Sequence, residues 1–171
     1  MIRKKLIAFI LILLAFLMQT TIFRVIALAE VVPNLLLVVT ISYAYLRGRT
    51  SGIVIGFVCG IMLDMMYGSV MGLYAFVFMT IGFMIGFCQK LYFTDSILLP
   101  TILIAVSDLL YCFYCYITEF LMRGRLHFIF YFVHKFLPEI LYTTLVGFVL
   151  YQLIVWMEGK LTRSREEVSH V

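Results

Sequence analysis

Charge is what this sequence has least of. Only 13% of its 171 residues are Asp, Glu, Lys or Arg, against about 25% in a soluble domain. Hydrophobic residues make up 64%, and mean hydropathy is +1.11. That balance excludes a soluble enzyme, a disordered chain and a nucleic-acid module, which would need basic residues clustered on a solvated face. Catalytic signatures are missing too. No His-Glu-x-x-His occurs, and His127 and His134 have no evident third ligand, so they read as interfacial side chains. In Gly68-Ser69-Val70-Met71-Gly72 the serine stands one place away from a G-x-S-x-G elbow. No Lys-Ser or Lys-Thr follows Gly52, Gly56 and Gly60, which excludes a phosphate loop. Cysteine is sparse, with four residues, all inside apolar stretches. Cys112-x-x-Cys115 lacks a second ligand pair nearby, so both read as small buried hydrophobes. The expectation is a protein that is no enzyme and carries no metal and no cofactor.

What the sequence does have is apolar length. A bilayer core of about 30 Å takes roughly 20 apolar residues per helix. Six such segments fit, giving an all-α, polytopic membrane protein. The expected spans are 6–23, 34–46, 51–67, 70–88, 96–120 and 138–157, a single domain over 1–157, with a polar and disordered tail over 158–171. The three prolines support these starts. Pro33 precedes Asn34, a residue that caps free N–H groups, while Pro100 falls near the first turn of the fifth helix and Pro138 opens the sixth. Residues 65–89 form one uncharged run of 25, which a hairpin at Gly68 divides. Residues 121–137 mix basic and aromatic side chains, as the membrane–water interface does.

Arg3-Lys4-Lys5 leads into 18 uncharged residues without a small-residue cleavage site, which reads as a retained helix with a cytoplasmic N-terminus. Six spans with both termini inside place nine Lys and Arg in the cytoplasm and four outside, as the positive-inside rule expects.

Two patterns stand out as candidate sites. Gly52, Gly56, Gly60 and Asp64 are spaced four apart, so they share one helix face on which another helix can approach closely, either within the chain or from a partner. Asp64, Asp108 and Glu139 come from three helices, and all map to the outer half of the bilayer. A dispersed set of intramembrane carboxylates is expensive. The expectation is therefore that Asp64 and Glu139 meet near the outer opening of one pocket or partner groove, with Asp108 as a third member unless the fifth helix turns it to the bundle interior.

The order Pro33-Asn34-Leu35-Leu36-Leu37, then Gly56-x-x-x-Gly60-x-x-x-Asp64-x-x-x-Gly68-x-x-x-Gly72, then Pro138-Glu139-Ile140, resembles the MreD family of bacterial rod shape-determining membrane proteins. The likeness extends over nearly the whole chain. One departure is that Thr143-Thr144 stand where MreD-like sequences often carry an asparagine. The resemblance implies a multi-pass protein of the bacterial inner (plasma) membrane, similar in fold to the substrate-binding subunits of energy-coupling-factor transporters. It implies a non-enzymatic scaffold that binds MreC and works indirectly with MreB filaments, RodA and a class B penicillin-binding protein in peptidoglycan synthesis. Membrane lipid surrounds it, nucleic acid is not a partner, and a homo-oligomer is left open. The alternative is a small-molecule-binding membrane subunit of the vitamin-transporter type, which would need a cavity lined by convergent polar groups.

Overall fold

Backbone amides in a bilayer must find partners within the protein, so the apolar segments have to form helices. The structure, a computed structural model, describes residues 2–22, 32–67, 72–88, 98–117 and 136–169, with side chains for those between 6 and 159. Among the described residues there are six α-helices and no strand. They are α1 (Ile2–Leu17), continued by a π-helical turn at Met18–Ile22, α2 (Leu35–Arg47), α3 (Arg49–Tyr67), α4 (Leu73–Cys88), α5 (Leu98–Tyr116) and α6 (Leu137–Ser169). By length and composition α3, α5 and the Leu137–Gly159 part of α6 can each cross a membrane, while Leu6–Ile22, α2 and α4 are shorter apolar helices.

α2 is the hub. It has 13 residues, about 20 Å of helix, and every residue from Leu35 to Ala44 is buried. α1, α3, α4, α5 and α6 all pack against it. A helix this short and this enclosed meets protein rather than lipid along its length. Its hydroxyls are therefore satisfied internally: Thr40 donates to the Leu36 carbonyl at 2.9 Å and Ser42 to the Val38 carbonyl at 2.7 Å.

α2 and α3 are joined by one residue. Gly48 has φ +86°, a backbone region that favours glycine, and this lets the chain reverse between Arg47 and Arg49. Its N–H donates to the Ala44 carbonyl at 2.9 Å, and its own carbonyl accepts from Gly52 at 3.0 Å. At this end Arg47 pairs with Glu158 of α6 at 2.7 Å and lies over the Tyr43 ring. Arg49 lies over the Phe87 ring of α4, 4.3 Å from its centroid.

Several boundaries differ from those expected. α4 starts at Leu73 rather than at 70, and of the expected fifth span the residues before 98 and after 117 lie outside the described residues. α6 does not stop at Met157 but continues to Ser169. Once a helix is nucleated, each further residue adds a hydrogen bond, and Lys160, Leu161, Arg163 and Glu166 are all good helix formers. Gly68, Ser69, Arg24, Lys90 and most of the interfacial stretch, including Arg123, Arg125, His127, His134 and Lys135, lie outside the described residues.

Candidate functional site

The glycine face of α3 is filled by α4 of the same chain. A Cβ placed on Gly56 would lie 2.5 Å from the Phe78 carbonyl oxygen, and one on Gly60 would lie 2.6 Å from the Ala75 nitrogen. Gly52 and Gly82 meet backbone to backbone. Further along, a Cβ on Gly86 would reach the Arg49 backbone at 2.5 Å. Of the two uses that the spacing allowed, the structure therefore shows internal packing. α4 carries its own Gly82-x-x-x-Gly86, a second small-residue signal in the sequence that matches the α3 stripe.

Asp64 ends this stripe and is 5% exposed. Its Oδ1 accepts from the Tyr74 N–H and its Oδ2 from the Ala75 N–H, both at 3.0 Å. These are second and third N–H groups of α4, which a capping side chain normally takes. Gly72, which starts that helix, has φ +99° and no side chain to offer. The carboxylate from α3 does the capping instead, with its charge at the positive end of the helix dipole.

Asp108 and Glu139 do come together, in company with Cys112. One donor atom from each lies within 4.8 Å of the others. Asp108 and Cys112 are one turn apart on α5, so they share a face, and Glu139 comes from the first turn of α6. The hydrogen bonds described for Asp64 go to the start of α4, while the group that Glu139 joins holds Asp108 and Cys112. The reason is local: a short connection sets the start of α4 beside the end of α3, and the free N–H groups there claim Asp64 first. Between the two sites stands Tyr111, whose ring centroid is 6.1 Å from that of Tyr74 and 5.8 Å from that of Phe78.

The Pro33-Asn34 motif heads the buried α2. Helix starts leave N–H groups without intrahelical partners, and here burial within the bundle removes water as well. Three side chains meet that demand. Asn34 Oδ1 accepts from Leu37 at 3.1 Å, and Gln19 Oε1, on the π-helical turn after α1, accepts from Leu36 at 3.1 Å. Thr143 Oγ1, on α6, accepts from Asn34 at 3.2 Å. Thr143 thus ties α6 to α2, and it also lies beside Asp108. Gln19 was not foreseen, although it is the one amide in the first apolar span.

A family model described as rod shape-determining protein MreD matches residues 1–161. The chain belongs to the MreD family. It is accordingly a rod shape-determining membrane protein, and MreD is a family of shape-determining proteins rather than a known family of enzymes. Among curated proteins and among solved structures nothing matches the chain, so the likeness to transporter substrate-binding subunits has no support beyond the resemblance. Of the MreD-like motif positions, Pro33 and Asn34 organise the start of α2, Gly72 starts α4, and Pro138 and Glu139 open α6.

Proposed function

We propose that the protein is a non-enzymatic scaffold subunit of the cell-elongation machinery, binding MreC within the membrane and helping couple MreB filaments to peptidoglycan synthesis. RodA and a class B penicillin-binding protein are reached indirectly. The observation that carries this reading is the MreD family match over residues 1–161. Support comes from how the polar groups are used. Asn34, Gln19, Thr143 and Asp64 serve backbone amides of the bundle itself. The outer surface offers apolar contact instead. A groove of about 340 Å³ between α1, α2 and α6 is lined by Leu11, Leu14, Leu35, Leu145 and Val149 among other apolar residues. Such a groove suits an apolar helix of a membrane partner, which lateral packing can hold.

Photo-crosslinking of co-expressed MreC tests the contact. A photoreactive residue at Leu145 or Val149 is expected to give MreC adducts, and one at Phe76, exposed on α4, is expected to give none. Equal adducts at all three positions, or none at any, would remove this interface.

The six helices are proposed to cross with both termini cytoplasmic, on the nine-to-four distribution of basic residues. A cysteine introduced at Ser169 in a background without the native cysteines should react with a membrane-impermeant maleimide only after the cells are opened. Labelling in intact cells would reverse the orientation.

A further inference from the structure

Asp108 is 0% exposed, and neither of its carboxylate oxygens has a hydrogen-bond partner among the described residues. The described ion pair joins Arg47 to Glu158, so no described cation answers this acid. A buried carboxyl without partners is costly, and such a group calls for a bound species. One of its oxygens shares its space with the Cys112 sulfur and a Glu139 oxygen, all within 4.8 Å of one another.

We propose that Asp108, Cys112 and Glu139 bind one divalent transition-metal ion of the zinc type, which staples α5 to α6. Three features favour this ligand. The donor set combines two hard carboxylates with a soft thiolate, a mixture that suits borderline Zn²⁺. Magnesium and calcium take oxygen shells and would leave the sulfur unused. The geometry is close to a tetrahedral site, in which donor atoms stand about 3.3–3.8 Å apart when each is about 2.0–2.3 Å from the metal. Closing from 4.8 Å to that spacing takes about 1–1.5 Å, within reach of the Glu139 side chain, which is only partly buried and so also offers the way in. A divalent ion offsets two of the three negative charges carried by the Asp108 and Glu139 carboxylates and the Cys112 thiolate, in a setting where dispersed carboxylates are expensive. As the sulfur–metal bond forms, the Cys112 thiol releases its proton to solvent. A water completes the coordination. The site is independent of the MreC reading, since neither its residues nor its chemistry lie in the apolar groove.

Cobalt(II) serves as the probe, added to the full chain in detergent after treatment with a chelator. One cobalt per chain is expected, with a thiolate-to-cobalt charge-transfer band that zinc displaces and magnesium does not. Cys112→Ser should remove the band, while Cys115→Ser should leave it intact. Asp108→Asn, nearly isosteric and uncharged, should weaken cobalt binding about tenfold or more and abolish the rise in Tm that zinc gives the wild type. A wild-type chain that binds no cobalt, or a band that survives Cys112→Ser, overturns the proposal. If Asp108→Asn does not fold, the Cys112→Ser and Cys115→Ser pair decides by itself.

Discussion

Gly56→Leu should prevent the protein from accumulating in folded form. A Cβ at this position would lie 2.5 Å from the Phe78 carbonyl oxygen, 2.8 Å from its carbon and 3.1 Å from the Met79 nitrogen. All three are backbone atoms of a helix, so no side chain can swing aside. α3 and α4 would have to separate along the whole line from Gly52 to Gly60, losing the contact that seats both against α2. Overpacking costs about 1–3 kcal/mol where neighbours can adjust, and the rigid wall here puts Gly56→Leu at or above the top of that range. Two glycines of α6 calibrate the effect. A Cβ on Gly147 would meet the side chains of Ile104 and Val38 at 3.1 Å, contacts that small rotations can relieve. Gly159 has nothing within 4 Å, and Gly159→Ala should raise helix stability by about 1 kcal/mol. The expected order of yield and thermal stability in detergent is Gly159→Ala, then Gly147→Ala, then Gly56→Ala, with Gly56→Leu last. Wild-type behaviour of Gly56→Leu would mean that α3 and α4 do not touch through this face.

Asp64→Leu is expected to have the next largest effect, and Asp64→Asn an intermediate one. Leucine removes both acceptors from the Tyr74 and Ala75 N–H groups at the start of α4. Orphaning a buried donor costs roughly 1–3 kcal/mol, so the double loss amounts to roughly 2–6 kcal/mol before relaxation. The carboxylate's favourable placement at the helix N-terminus goes as well. Asparagine keeps one oxygen and turns an NH₂ towards the other donor, so about half of the interaction survives. Unfolding followed by thermal scans should therefore rank wild type above Asp64→Asn and Asp64→Leu lowest. Hydrogen exchange should show Tyr74 and Ala75 losing protection first. Equal stability of the three proteins would mean that the amides find other acceptors, and the capping role would be lost. In cells, Asp64→Leu should impair rod growth in proportion to the lost folded protein.

The glycine stripe and Asp64 could be placed on one face from spacing alone, because a helix repeats every 3.6 residues and four-residue steps stay in register. Asn34 as the cap of α2 was legible for a similar reason: it follows a proline and precedes an apolar run. Gln19 and Thr143 were not legible as its helpers. They lie 17 and 109 residues from the amides they serve, and nothing in the local pattern marks so distant a pairing. The acids show the same division. Each could be assigned to a level of the membrane by counting residues, yet the count carries no information about rotation around the helix axis.

The sequence by itself determined the membrane setting, the order of the described helices, and the single face shared by Gly52, Gly56, Gly60 and Asp64, since these depend on composition and on local periodicity. Only the tertiary structure decided that α2 is the buried hub, that α4 receives the glycine face of α3, and that Asp108 and Cys112 meet Glu139. The physical reason is the solvent. In water, an apolar stripe tells a helix which side faces the core. In a bilayer lipid is as apolar as leucine, so helices hydrophobic all round give no such direction. Their neighbours are then selected by close backbone approach and by polar side chains reaching free amides, and both are visible only once the helices stand together.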